Sequence, residues 1–156
     1  PWQVRIPKRP DAMQLEKLIS WTESPDDALK YFSGTATYRR SFDLSADQLT
    51  PDQRLWPDLG RVKNLARVRA NGKDLGVLWK PPFAIDVTSY LKSGSNLLEI
   101  EVTNLWPNRL IGDLNLPEDQ RTTWTTYNPY KKDSPLLESG PIGPVVIRAM
   151  SVQVVK

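Results

Sequence analysis

Glu99 and Glu101 stand two apart in a run where they alternate with Leu98, Ile100 and Val102. On a β-strand such a pair shares one face, roughly 6.6–6.8 Å apart along it. That spacing overlaps the range of roughly 6.5–9.5 Å between the acid and base carboxyls of inverting sugar-cleaving enzymes. The apolar partners claim the other face for a core, however, so the simplest role for the two glutamates is to line the solvent face. Asp26 and Asp27 follow Ser24-Pro25 and suit the first turn of a helix, with Ser24 as the cap and Pro25 at the first helical position. Asp113 and Asp119, with Glu118 nearby, offer oxygen ligands for calcium, but without the loop spacing of an EF-hand. Gly112, Gly140 and Gly143 are isolated and read as turn glycines, with no phosphate-cradling motif around them.

What is missing narrows the chemistry further. The 156 residues contain neither Cys nor His. Disulfide frameworks, thiolate zinc sites, cysteine nucleophiles and serine–histidine triads are therefore closed to this chain by itself. The formal charge of +3 comes from 21 basic and 18 acidic residues. The basic residues are dispersed, with Lys8-Arg9, Arg39-Arg40 and Lys131-Lys132 as doublets, which is not the concentrated patch of a nucleic-acid binder. No apolar run approaches the length of a membrane span, and PWQVRIPKRP at the start has no apolar core of a secretion signal. No nucleic acid and no membrane are expected as partners.

Trp and Tyr, six and five of them, outnumber the three Phe. Their rings can lie on the flat C–H faces of sugars while their polar tips stay hydrated. Two Trp and two Tyr lie between Asn104 and Pro144, a stretch with six prolines and weak periodicity. An irregular excursion of about 40 residues is uncommon in a compact domain and points to a functional loop or to disorder. Disorder is the poorer reading, because Trp106, Trp124, Tyr127, Tyr130, Leu136 and Leu137 are costly to leave in water. With Asn108, Arg109 and Asn128 alongside, the insert has the composition of a saccharide-binding surface. The same aromatics would serve as the insert's own small core, and Trp106, directly after a core strand, would then be a buried anchor.

The elements that must position this insert are mostly strands. Trp2, Val4 and Ile6 alternate with Gln3 and Arg5, and Thr35–Phe42 is rich in β-formers. Leu55–Leu59, Leu65–Ala70, Leu75–Trp79 and Phe83–Val87 follow at short intervals. The end, Val145–Val155, reads as two short strands or one bent one. Ile100 and Trp79 are expected in the core. Asn71-Gly72 between two such runs is a strong hairpin signal, since a type I′ turn needs positive φ at both positions. Helices are short: one turn after Ser24, another over Ser45–Leu49, and an undecided segment at Gln14–Ile19. The pattern predicts an all-β fold in one domain spanning residues 1–156, with the insert at about 104–144.

Three strings carry a resemblance. SWTESPDDALKYFSGTATYRRSF (20–42), LGRVKNLARVRANGKDLGVLWKPPFAIDVTSYLKSGSNLLEIEVTNLWPNRLIGD (59–113) and SPLLESGPIGPVVI (134–147) are similar to the C-terminal β-sandwich of the large α-L-rhamnosidases of glycoside hydrolase family 106. The middle string also resembles the sugar-binding jelly roll of family-2 glycosidases. The resemblance implies a galactose-binding-like sandwich whose catalytic carboxylates belong to a separate barrel, so the chain is expected not to be an enzyme. It implies an extracellular or periplasmic location and a catalytic domain as a partner. The expected function is a non-catalytic carbohydrate-binding module for a plant cell-wall glycan: a pectic, rhamnose-containing or uronic-acid polymer. Trp106, Asn108, Arg109, Trp124, Tyr127 and Tyr130 are the expected contacts, with Arg109 or Lys131 facing any carboxylate. No cofactor and no metal are expected; Asp113 and Asp119 are the candidate positions if calcium binds. The competing expectation is a sandwich that only braces the barrel.

Overall fold

In the computed structural model, which describes residues 1–7 and 9–151, most of the strands form one six-stranded antiparallel sheet. Its order is β2 (Met13–Leu15), β1 (Trp2–Arg5), β3 (Thr35–Leu44), β8 (Gly94–Thr103), β6 (Leu65–Ala70) and β7 (Lys73–Leu78). Two antiparallel pairs, β4 (Gln53–Asp58) with β10 (Val146–Ser151) and β5 (Arg61–Lys63) with β9 (Gly140–Gly143), supply residues to the same core and complete an all-β sandwich. The part of the expected terminal strand beyond Ser151 lies outside the described residues.

Alternation along each strand builds the core in rows. Val4 pairs with Tyr38, Tyr38 with Ile100, and Ile100 with Val68, so one buried row crosses four strands. The neighbouring row on the other face is charged: Arg39 pairs with Glu99, and Glu99 with Arg69. The period of two along each strand separates these faces, as the sequence of β8 implies. Trp21, in a 3-10 turn at Trp21–Glu23, caps the core by donating its Nε1–H to the Tyr38 hydroxyl at 2.6 Å.

Several expectations are met and others corrected. Asn71 and Gly72, with φ of 48° and 80°, make the β6–β7 turn as expected. The segment at Gln14 resolves as strand β2. Helix α1 (Asp27–Lys30) begins later than expected: Asp26, not Ser24, is its cap, accepting from the Ala28 N–H. Phe83–Val87 runs along β4 through backbone bonds from Leu59 and Val87, but forms only an isolated bridge. Trp79 is 67% exposed, against expectation, because β7 ends at Leu78 and the ring swings out beneath Lys80. Strand β7 is an outer edge. A bulge between Arg67 and Arg69 breaks its pairing, and Gly76 sits at φ +98°.

Candidate functional site

The insert has a spine that its sequence disguises. Pro107–Leu114 forms a two-turn helix, α2, with Pro107 in its first turn, where the missing N–H costs nothing. Ile111 buries itself in the expected way, but the other inward residues are polar. Asn108 is buried and bonds Leu137 twice: its Nδ2 donates to the Leu137 carbonyl at 2.7 Å and its Oδ1 accepts the Leu137 N–H at 2.8 Å. Asp113, 3% exposed, holds the segment after the helix. Its carboxylate accepts the N–H of Thr122 at 3.0 Å, the N–H of Thr123 at 2.8 Å and the Thr123 hydroxyl at 2.5 Å. Arg109, one turn earlier, pairs with the same carboxylate. Burial pushes the Asp113 carboxyl up, but the Thr123 hydroxyl, the Arg109 charge and the two N–H donors outweigh it and hold it below its usual range. Gly112 is helical, not a turn glycine: a Cβ there would sit 2.7 Å from the Tyr31 side chain, so its absence lets α2 pack close.

These bonds revise the expected contacts. Asn108 is enclosed and committed to Leu137, so it is a brace for the insert and not a surface group. Arg109 spends its Nη2 on Asp113, so its charge is already paired within the insert. Asp113 is surrounded by donors, so its carboxylate oxygens are engaged within the insert. Asp119 stands in an exposed 3-10 turn, Glu118–Gln120. No group of three or more acidic side chains arranged for a metal occurs among the described residues. Trp106 is 61% exposed at the start of α2 and is not a buried anchor. Tyr127 is exposed and Tyr130 half-buried. Lys131 is exposed, and its backbone N–H bonds the Ser134 hydroxyl.

Trp124 is 79% exposed and lines a groove of 530 Å³ between the C-terminal half of α2 and the segment that Asp113 holds. Leu110 and Leu114 line the same groove from the helix, and Arg121, Thr125 and Asn128 from the segment. The volume lies within the span of roughly 300–1,000 Å³ typical of small-ligand sites. Trp106, at the start of α2, is not among the residues that line it. Arg121, Thr123 and Thr125 are polar groove residues that sequence reading missed. The signal available was the spacing of Arg109 and Asp113, four apart as on a helix, which already marks Arg109 as internally paired.

The carboxylates on β8 are likewise committed. Glu99 accepts from Arg39 Nε at 2.5 Å and from Arg69 Nη1 at 2.8 Å, and Glu101 from the same Nη1 at 2.7 Å. Burial raises the Glu99 pKa, but the two arginines more than offset it and hold it low. A general acid needs the opposite displacement.

No family model matches the chain. A rhamnosidase from Novosphingobium sp. PP1Y is similar to it at 41% identity and a TM-score of 0.87, over 96% of this chain but 14% of that one. A curated protein of Formosa agariphila named "Putative beta-glucuronidase" is 39% identical over 96% of this chain and 15% of its own length. A β-D-glucuronidase of Dictyoglomus thermophilum shares the fold, with a TM-score of 0.58 at 20% identity, over 66% of this chain and 18% of its own. The chain thus spans about one-seventh of the first two relatives. No helix among the described residues is long and apolar enough to cross a membrane.

Proposed function

We propose that this chain, a small β-sandwich of the kind that larger rhamnosidase- and glucuronidase-type glycoside hydrolases carry, is a non-catalytic carbohydrate-binding domain acting outside the cytoplasm beside a catalytic domain. The observation that supports it best is Trp124, an exposed indole on a segment fixed by a buried carboxylate, beside a groove furnished with an amide, a hydroxyl and a guanidinium. Exposing a Trp ring is costly unless a ligand covers it, and a rigidly held ring loses little entropy when one does. A glycan ring stacks on Trp124 while Asn128 and Thr125 take its hydroxyls. Tyr127 and Tyr130 extend the surface along the same segment. We assign all of residues 1–156 to one such domain.

Affinity electrophoresis in pectins, xylans, glucans and mannans tests this reading. Retardation in at least one gel is expected, and Trp124→Ala should weaken it by about 1–3 kcal/mol, by analogy with lost base–aromatic stacks. Migration unchanged in every gel would favour a second reading, a brace for the catalytic domain. Leu105, Trp106 and Leu137, all exposed near the start of α2, support that reading, because apolar side chains gathered at one place often mark a protein contact.

A further inference from the structure

Arg121 differs from the other arginines near acids. Arg39, Arg61, Arg67, Arg69, Arg109 and Arg148 each donate to a carboxylate. Arg121 is instead fixed by its Nε, which donates to the backbone carbonyls of Asp113 at 3.1 Å and Leu116 at 3.3 Å. The first carbonyl lies in the last turn of α2 and the second two residues past its end, where a cation complements the helix dipole. Both Nη groups are left without a hydrogen bond to any described residue. The nearest carboxylate oxygen, on Glu118, is 3.9 Å from Nη1, and that side chain is 91% exposed. Such a pair is loose and competes poorly for the fork. Asn128 is arranged in the same manner: its Oδ1 accepts the Tyr130 N–H at 3.0 Å, which leaves its Nδ2 for the groove.

We infer that the Trp124 groove selects glycans bearing a carboxylate, a uronic-acid residue whose ring lies on Trp124 and whose carboxylate takes the two Nη groups of Arg121. This rests on the glycan-binding reading above and deepens it. A planar fork held by its third nitrogen presents two parallel donors with little entropy left to lose, the geometry that a carboxylate matches. The Asp113 charge in the groove wall is already neutralised by Arg109, so Glu118 is the one acidic side chain there that opposes an anion.

Isothermal titration with oligogalacturonate and oligoglucuronate, each beside its carboxyl-reduced neutral counterpart, reads this out. At least one acidic oligosaccharide should bind about 10-fold or more tightly than its neutral partner, and Arg121→Gln should bring the two forms to within about twofold of each other. Arg121 also ties down the end of α2, so Glu118→Gln supplies a test that leaves that tie untouched. It should tighten acidic binding about two- to fivefold and leave neutral binding unchanged. Neutral and acidic forms binding equally would overturn the inference and leave the glycan-binding reading standing. So would Glu118→Gln without effect on acidic binding. Failure of every oligosaccharide to bind would overturn both.

Discussion

Replacing Asp113 by Ala probes whether one carboxylate holds the insert. Asp113 accepts from two backbone N–H groups, two hydroxyls (the Thr122 one at a long 3.4 Å) and one guanidinium, and it is almost wholly enclosed. Removing one member of a buried ion pair costs about 3–5 kcal/mol, and each orphaned buried donor about 1–3 kcal/mol. These do not add in full, since the freed segment can swing out and hydrate and Arg109 is partly exposed already. A loss of about 3–5 kcal/mol is expected in urea unfolding followed by Trp fluorescence. Trypsin should cut faster after Arg121, Lys131 and Lys132. The acid limb gives an independent check. Because the folded Asp113 titrates below its unfolded value of about 3.9, its contribution is complete above that pH and is lost as pH falls through the lower folded value. Stability of the parent should therefore drop more steeply below about pH 4 than that of Asp113→Asn. Asp74 and Glu138, held low by Arg67 and Arg61, titrate in both proteins and cancel in the difference. A loss under about 1 kcal/mol with the segment still resistant to trypsin would refute this account of the insert.

The other expectations concern packing. Ile100→Ala should cost about 2–5 kcal/mol in denaturant unfolding, and Trp79→Ala about 0.5 kcal/mol or less, because one side chain is enclosed and the other stands in water. At Gly140, with φ +85°, a Cβ would lie 2.2 Å from the Trp21 Nε1. Gly140→Ala should therefore break the Trp21–Tyr38 contact and lower stability by about 3 kcal/mol or more, seen as a drop in Tm and a red-shifted Trp emission.

Where the hydrophobic pattern decided the structure, the sequence was enough to find it. Strand β8 shows this best, since Leu98, Ile100 and Val102 have no second use and their alternation fixes both faces. The Asn71-Gly72 turn was legible because few residue pairs tolerate positive φ twice. Helix α2 was hidden because Asn108 and Asp113 share its buried face with Ile111 and Gly112, and these polar residues break the apolar period. Their burial depends on partners 9 to 29 positions away, Thr122 and Leu137, which no local pattern records. Arg109 and Arg121 look alike in composition. Only the fold reveals that one faces a carboxylate and the other two carbonyls and a groove.

The edges of the six-stranded sheet bear on how this protein meets other copies of itself. An outer strand exposes a ladder of unpaired amides and carbonyls on which a second chain can continue the sheet, the route to fibrils and swapped dimers. Here one border, β2, is three residues long and gives such a ladder almost no length. The other, β7, is interrupted: the Arg67–Arg69 bulge and the left-handed backbone at Gly76 throw an incoming strand out of step after a few residues. Lys73 and Lys80 flank that border with like charges that would face their counterparts in an identical neighbour. Self-templating is blocked at both borders by geometry and charge, even though Val77 and Trp79 lie bare beside the second one. Both borders of the six-stranded sheet thus resist the addition of a further strand.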